Sequence, residues 1–417
     1  MAKKKTEDKN IEAFESDLDD FLKSSMDLEV TTLGEHEQVP YWINSGSYAL
    51  NWVIADDMFK GIPGTKVVMV SGEEAKGKSL VSDVWLGQTI RDIGSAIKID
   101  VEDSIGRDFT AKVIGSEEIA SKIRLIAPDT KKEMKKKNPK PENLVITIEK
   151  LTHILNKVID FQLSKGSDIK PIMVVIDSVS NLTSIKEIQD IADEKDKKDM
   201  TPQQKMRAFF RAVNQKMKNA QVTIVGIAHL TANIGVMFGP SKTVSAKGSG
   251  FKYASSLILN CVSSKEIVDP KTDTAVGVRM KIQTTKNRMA FKGRNSFLYM
   301  YFNYGIDPYG GIGELLCQYD LAKASAKAKV DGSFGETTTF TYLRDNGETM
   351  KWKTYELWSM MEAMKEEERQ SLLEEWNNKL NNAYQKALDI RGISEEEYLE
   401  EEDPQSDEEF FDEMEQE

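Results

Sequence analysis

Residues 72–79 read GEEAKGKS, a G-x-x-x-x-G-K-[ST] pattern, and the segments on either side constrain the fold more than any other stretch. Before it, residues 66–70 (KVVMV) form a short apolar run. After it, SLVSDVWLGQTIRDIG has helical periodicity, with Leu80, Val81, Val84, Trp85 and Ile90 on one side and Gly94 as a stop. Strand, glycine loop and helix in that order let backbone N–H groups wrap a diphosphate with no Cβ in the way. A nucleoside triphosphate site is therefore expected from Gly72, Glu73, Glu74, Ala75, Lys76, Gly77, Lys78 and Ser79. Lys78 would reach the terminal phosphates and Ser79 would hold Mg²⁺.

The rest of residues 39–313 supports that reading. Runs at 96–99 (AIKI), 123–126 (IRLI), 172–176 (IMVVI) and 222–228 (VTIVGIA) alternate with helix-length periodic segments. Continuous apolar runs are the mark of buried parallel strands, so the core is expected to be α/β with a mostly parallel central sheet. Residues 257–303 give further strands without long helices between them, expected to extend the sheet by antiparallel pairing. Asp177 closes the run IMVVID, where a carboxylate can hold the hydration shell of Mg²⁺. Asp100, Glu102 and Asp103 follow AIKI. One of them is expected to orient an attacking water, and Glu102 is the choice among them.

Charge and cysteine content narrow the alternatives. The 417 residues carry a formal charge of −12, but residues 395–417 hold fourteen acids and no lysine or arginine. Setting that tail aside leaves 54 of the 68 acidic residues against 56 basic ones. The body is thus free to bind a polyanion through local patches. Two cysteines, Cys261 and Cys317, cannot make a disulfide framework or a cysteine-rich zinc site, and three histidines make a histidine metal centre a poor expectation. No apolar run approaches the length of a membrane span, and MAKKKTEDKN has no apolar stretch behind it, so a soluble, cytoplasmic protein is expected. Residues 131–143 (KKEMKKKNPKPEN) read as a solvated insertion loop or a basic contact to DNA. Four segments are expected: 1–38, with a weak stripe of Ile11, Phe14, Leu18, Phe21 and Leu22; the core, 39–316; a small unit, 317–392; and an acidic tail, 393–417, too polar to fold alone.

Five segments taken together resemble the RecA-type strand-exchange recombinases, and most of all the phage UvsX branch. They are GEEAKGKS, IDVED, VVIDSVSNL (174–182), IGVMFG (234–239) with FKYAS (251–255), and GIDPYGG (305–311). The likeness covers about residues 39–316 and, more loosely, the chain to about 392. It implies a RecA-like core with a small N-terminal polymerisation segment and a smaller C-terminal domain. The implied activity is DNA-dependent ATP hydrolysis coupled to homology search and strand exchange, on a helical homo-oligomeric filament around single-stranded DNA. ATP and Mg²⁺ are the implied cofactors; duplex DNA, single-strand-binding proteins and mediators are further partners. Within it Glu102 matches the catalytic glutamate, Lys78, Ser79 and Asp177 the phosphate and magnesium positions, and Phe109 and Tyr309 the aromatics that flank adenine. His229 takes the place of the residue that senses the γ-phosphate. Lys286 and Arg288, two apart on a strand, match the basic pair that reaches a neighbour's ATP.

The resemblance also implies two DNA loops. The first is expected near 187–202, without apolar periodicity and ending beside Met200, with Lys205 on the helix that follows. The second spans about 230–250, with Lys242 and Lys247 supplying charge and Met237 and Phe238 wedging between bases. The loop filling EEAK departs from the Ser-rich filling common in bacterial RecA, and the acidic tail reads equally as a DNA mimic or as a solubilising tail or docking site for replication-partner proteins. The competing reading is a hexameric, ring-forming RecA-fold helicase, which shares Lys78, Glu102 and Asp177 but has no need of IGVMFG.

Overall fold

The computed structural model describes residues 17, 18, 20–24, 39–102, 106–193, 201–232, 242–244, 248–269, 272–302, 304–335 and 337–389. The chain forms two units, Met1–Pro40 and Tyr41–Glu417. In the first, the described residues between 17 and 24 are helical, with Leu18 and Phe21 exposed. Ile11 and Phe14 lie outside the described residues.

The second unit is built on strands β1 (Trp42–Ile43), β2 (Ile62–Pro63), β3 (Val67–Gly72), β4 (Ser95–Asp100), β5 (Arg124–Ile126), β6 (Ile172–Asp177), β7 (Val222–Ala232), β8 (Lys242–Val244), β9 (Leu257–Asp269), β10 (Thr274–Asn287), β11 (Asn295–Tyr301), β12 (Gly305–Ile306), β13 (Ala322–Ala324), β14 (Thr339–Leu343) and β15 (Thr349–Lys353). Among the described residues the main sheet is 10-stranded in the order β12-β11-β10-β9-β3-β7-β6-β4-β5, with β8 paired to β7. The run from β9 to β5 is parallel, while β10, β11 and β12 extend it antiparallel from β9. This is the mostly parallel α/β core with an antiparallel extension that the apolar runs announce.

Each central strand is buried on both faces. In β3, Val67 and Met69 face one core with the helices Ile148–Leu163 and Thr201–Asn219, while Val68 and Val70 face a second with Val81, Val84 and Trp85 of the helix Lys78–Asp92. Period-two alternation sorts one apolar run onto two helix layers. Gly94 permits the tight return into β4, because a Cβ there would meet the Pro171 carbonyl oxygen at 1.8 Å. The expected small C-terminal unit supplies the 3-stranded sheet β13-β14-β15 and the helices Leu357–Ala363 and Glu366–Asp389. Its Phe340, Trp352 and Trp376 share one core with Ala49, Trp52 and Val53 of the helix Tyr48–Ala55 and with Ile312 and Leu316.

Two segments differ from expectation. Residues 131–143 are not simply a loop: Asp129 caps a helix Thr130–Met134, and Glu133 is buried, pairing with Lys136 and accepting from the Lys140 amide. The first expected DNA loop starts as a helix, Ile185–Ala192. Ser184 caps it by accepting from the Glu187 amide, and Ile185 and Ile188 recur at helical spacing.

Candidate active site

The parallel strands bring their carboxyl ends together. Gly72 at the end of β3 is in register with His229 of β7 on one side and Cys261 of β9 on the other. Asp100 ends β4 opposite Asp177, which ends β6. Ligands of open α/β sheets bind in the crevice outside such ends. Five separated stretches of sequence thus reach one edge.

The glycine loop leads from β3 into the helix Lys78–Asp92, and its last residue before the helix, Gly77, has φ +86. A Cβ at Gly77 would also come within 2.2 Å of Met280 Sδ, so a larger residue would need both a disfavoured backbone conformation and a shift of the Met280 side chain. Ala75 is left-handed as well, with φ 56, an uncommon conformation for a residue with a Cβ. The Lys78 side chain is buried and its Nζ donates to the Glu73 carbonyl at 2.5 Å, closing the loop on itself. Burial pushes its pKa below the ordinary lysine value, opposed by Cys261, Asp177, Glu102 and Glu74.

Asp177 is 1% exposed. Burial raises its carboxyl above the ordinary aspartate range, against the lowering effect of the Lys98 charge and the Ser79 hydroxyl. Its Oδ2 accepts no hydrogen bond. A buried carboxylate oxygen without a donor, next to a hydroxyl at the start of the phosphate-loop helix, fits a hydrated Mg²⁺. Among the described residues no group of three or more His, Cys, Asp or Glu could hold a metal by itself. A cation here would rest on Ser79 and Asp177 and complete its shell with water and ligand oxygens.

Glu102 sits just past β4, its amide donating to Asp100 Oδ1 at 3.1 Å. One carboxylate oxygen, Oε1, meets both Asn181 Nδ2 at 2.9 Å and His229 Nε2 at 3.1 Å. Burial works to raise its pKa, but Ser178, His229 and the Lys78 charge outweigh it and hold the carboxyl below the usual glutamate range. Glu102 is therefore ionised at neutral pH and able to accept a proton or a hydrogen bond from water. His229 is fixed from behind, its amide donating to Ser180 Oγ at 2.8 Å.

The remaining expected residues are spread more widely. Phe109, on the helix Arg107–Ile114, is 52% exposed. Tyr309 is 3% exposed, its ring stacked on Tyr48 at 5.4 Å within the C-terminal core, and its hydroxyl pKa is raised by burial and by Tyr48. Lys286 and Arg288 do not share one regular strand: the β9–β10 register shifts between Thr284 and Lys286, and β10 ends at Asn287. They stay close enough for Arg288 to lower the Lys286 pKa, after burial as the main cause. Both lie at the amino end of β9, the opposite end of the sheet from the glycine loop. Lys205 Nζ pairs with Glu149 Oε1 at 2.6 Å. Lys242 opens β8, opposite Ala232 in a hairpin with β7. Met200, Met237, Phe238 and Lys247 lie outside the described residues, as does Asp103.

Asn181 and Ser180, which orient Glu102 and His229, stand in the quoted segment VVIDSVSNL but carry no expectation of their own. Lys98, a lone lysine inside the buried run AIKI, was the one signal of the ion pair it forms with Asp83.

Residues 149–307 match the family model of the RecA N-terminal domain. The core is RecA-like. RecA of Malacoplasma penetrans is 25% identical over 310 residues, 73% of this chain and 84% of that protein. RecA of Borrelia turicatae is 25% identical over 279 residues, covering 67% of this chain and 68% of its own, and RecA of Borrelia duttonii is 24% identical over 296 residues. The segment matched by the RecA family model includes Asp177, His229, Lys286 and Arg288, whereas the glycine loop and Glu102 precede it. The loop geometry and the family match are thus separate observations that agree. Among the described residues no helix is long and apolar enough to cross a membrane.

Proposed function

We propose that the protein is an ATP- and Mg²⁺-dependent recombinase that assembles as a helical filament on single-stranded DNA and exchanges strands with homologous duplex. The similarity to RecA supports strand exchange over a ring helicase. One contact carries the rest of the reading: Glu102 Oε1 to His229 Nε2 at 3.1 Å. Glu102 belongs to the nucleotide edge. His229 belongs to β7, which ends at Ala232, next in sequence to the segment that would hold bases. A change of hydrogen bonding at one member is felt by the other.

In this scheme Lys78 would neutralise the terminal phosphates, Ser79 and Asp177 would hold a cation whose chemistry would be to draw charge from them, and Glu102 would orient the attacking water. Phe109 and Tyr309 would flank adenine, Tyr309 from its buried place against Tyr48. Met200, Lys205, Met237, Phe238, Lys242 and Lys247 would grip DNA by charge and by stacking, with Lys205 exchanging Glu149 for phosphate. Lys286 and Arg288 would act on the nucleotide of the next copy. Histidine at 229 is what favours the phage UvsX branch.

The filament requires an open, head-to-tail interface. A groove of about 770 Å³ lies along edge strand β5, lined by Ile126, Val158 and Phe161 and rimmed by Arg124, Lys157 and Lys165. Its apolar floor and basic rim suit residues 11–22 of a neighbouring copy, where Phe14, Leu18 and Phe21 stand among Glu12, Glu15, Asp17, Asp19 and Asp20. Strand exchange between homologous DNAs tests the whole proposal, with Lys78→Ala as the inactive control. ATP hydrolysis by dilute monomers at the same rate with and without oligonucleotide would overturn it.

A further inference from the structure

Behind the candidate metal position lies an ion pair that the scheme above does not use. Lys98 on β4 and Asp83 on the helix Lys78–Asp92 are 3% and 1% exposed, with Nζ 2.5 Å from Oδ1. The same amine lies 3.6 Å from Asp177 Oδ2, the oxygen that accepts no hydrogen bond. Asp83 Oδ2 takes a hydrogen bond from Thr110 at 3.3 Å, on the helix that carries Phe109. Stability is a poor reason for such a pair, since apolar residues of similar volume commonly do as well or better in a buried position. Its placement suggests another. Asp83 is one turn along the helix from Ser79, so the two carboxylates that share the Lys98 amine differ in one respect: Asp177 adjoins Ser79 and the nucleotide edge, while Asp83 is shut inside. At 2.5 Å the amine is committed to Asp83; at 3.6 Å it is beyond hydrogen-bond reach of Asp177.

We propose that Asp83 is a positioning residue that holds the Lys98 amine off Asp177, keeping the Asp177 oxygen available to a divalent cation. The Lys98–Asp83 pair thereby sets the cation concentration at which nucleotide binds. Without Asp83, the amine has one carboxylate left, and a Lys98–Asp177 pair competes directly with the cation. Thr110 and its helix tie the same pair to the side of the site where the base would lie.

The inference rests on the nucleotide-binding reading above, and its test separates the two. Binding of a fluorescent ATP analogue is followed while Mg²⁺ is titrated, in the full-length protein and in three variants. Asp83→Asn raises the half-saturating Mg²⁺ about tenfold, an effect within the usual range for coupled buried charges, and leaves binding at saturating Mg²⁺ little changed. The double variant Asp83→Leu with Lys98→Met removes the competing amine and returns the midpoint to the parent value or below. Thr110→Val, which only loosens Asp83, moves the midpoint in the direction of Asp83→Asn by less. A purely structural pair would make the double variant share the shift, and that result, or an unchanged midpoint in Asp83→Asn, overturns the proposal. Should Asp83→Asn lack the parent's circular dichroism, Thr110→Val against the double variant decides: equal midpoints overturn it. Failure of the parent protein to bind the analogue at any Mg²⁺ overturns the nucleotide reading and this inference with it.

Discussion

The two ends of the parallel strands differ in how their charges are arranged. At the carboxyl end, Lys78, Glu102, Asp177, Lys98 and His229 interlock within the chain, each charge facing one of opposite sign or a hydrogen-bond partner. At the amino end, cations face cations. Lys66 has its pKa lowered by burial and then by Lys218 and Arg288, and Lys286 by burial and then by Arg288 and Lys252. Like charges gathered at one edge repel unless an anion arrives. On the function proposed above, the first end would be a nucleotide site nearly complete in one copy, and the second would be half of a site whose other half is the nucleotide of another copy.

The largest effect expected tests the first end alone. Lys78→Ala should lower ATP hydrolysis by roughly hundredfold or more and abolish strand exchange, read by phosphate release and a joint-molecule assay. Glu102→Gln comes next. Hydrolysis should fall about a hundredfold while binding of an ATP analogue stays within about twofold, because the change removes a carboxylate that acts on water rather than on the ligand. Equal losses in binding and turnover would show Glu102 to be structural.

The contrast between the ends is broken or sharpened by mixing. Lys286→Ala with Arg288→Ala should keep analogue binding but lose most DNA-stimulated hydrolysis. Mixed with Lys78→Ala protein, it should regain part of that activity, since an intact nucleotide edge on one copy would then meet an intact basic edge on the next. No recovery at any mixing ratio would place the pair in its own copy's site and erase the distinction.

The smallest effect concerns stability alone. Asp307 is 1% exposed, and burial raises its pKa to about 7, offset in part by the Tyr309 and Gly310 amides and reinforced by Glu314. The folded state holds the Asp307 proton more tightly than the unfolded chain, so this contribution is full below about pH 4 and is lost as pH rises through about 7. Asp307→Asn keeps an acceptor oxygen for both amides without the charge. Its melting midpoint should exceed the parent's by a few degrees at pH 8, by less at pH 5, and match it only near pH 4 or below; the reverse order would contradict the burial argument.

Much of this was legible because the signals are local. The glycine loop between KVVMV and a periodic helix, the aspartate closing IMVVID, and the glutamate three residues past AIKI are each written within a few residues. All three sit at the strand ends as expected. The Lys286–Arg288 spacing was legible too, but its strand was not: the register shift beside Thr284 depends on how β10 pairs with β9. Tyr309 misleads for a similar reason. The resemblance matches it to an aromatic beside adenine, and only the tertiary packing shows it buried against Tyr48 in the core shared with the C-terminal unit.

The order of apolar runs, loop and capping residues determined by itself that this chain builds a parallel sheet with a phosphate loop at one edge. Backbone geometry and period-two burial are properties of short stretches. Which carboxylate Lys98 chooses, which oxygen of Asp177 is left without a donor, and that Glu102 meets His229 across 127 positions of sequence were decided only by the tertiary structure. Those outcomes turn on distances of about an ångström between strands brought together by the whole sheet, and no run of residues encodes them alone.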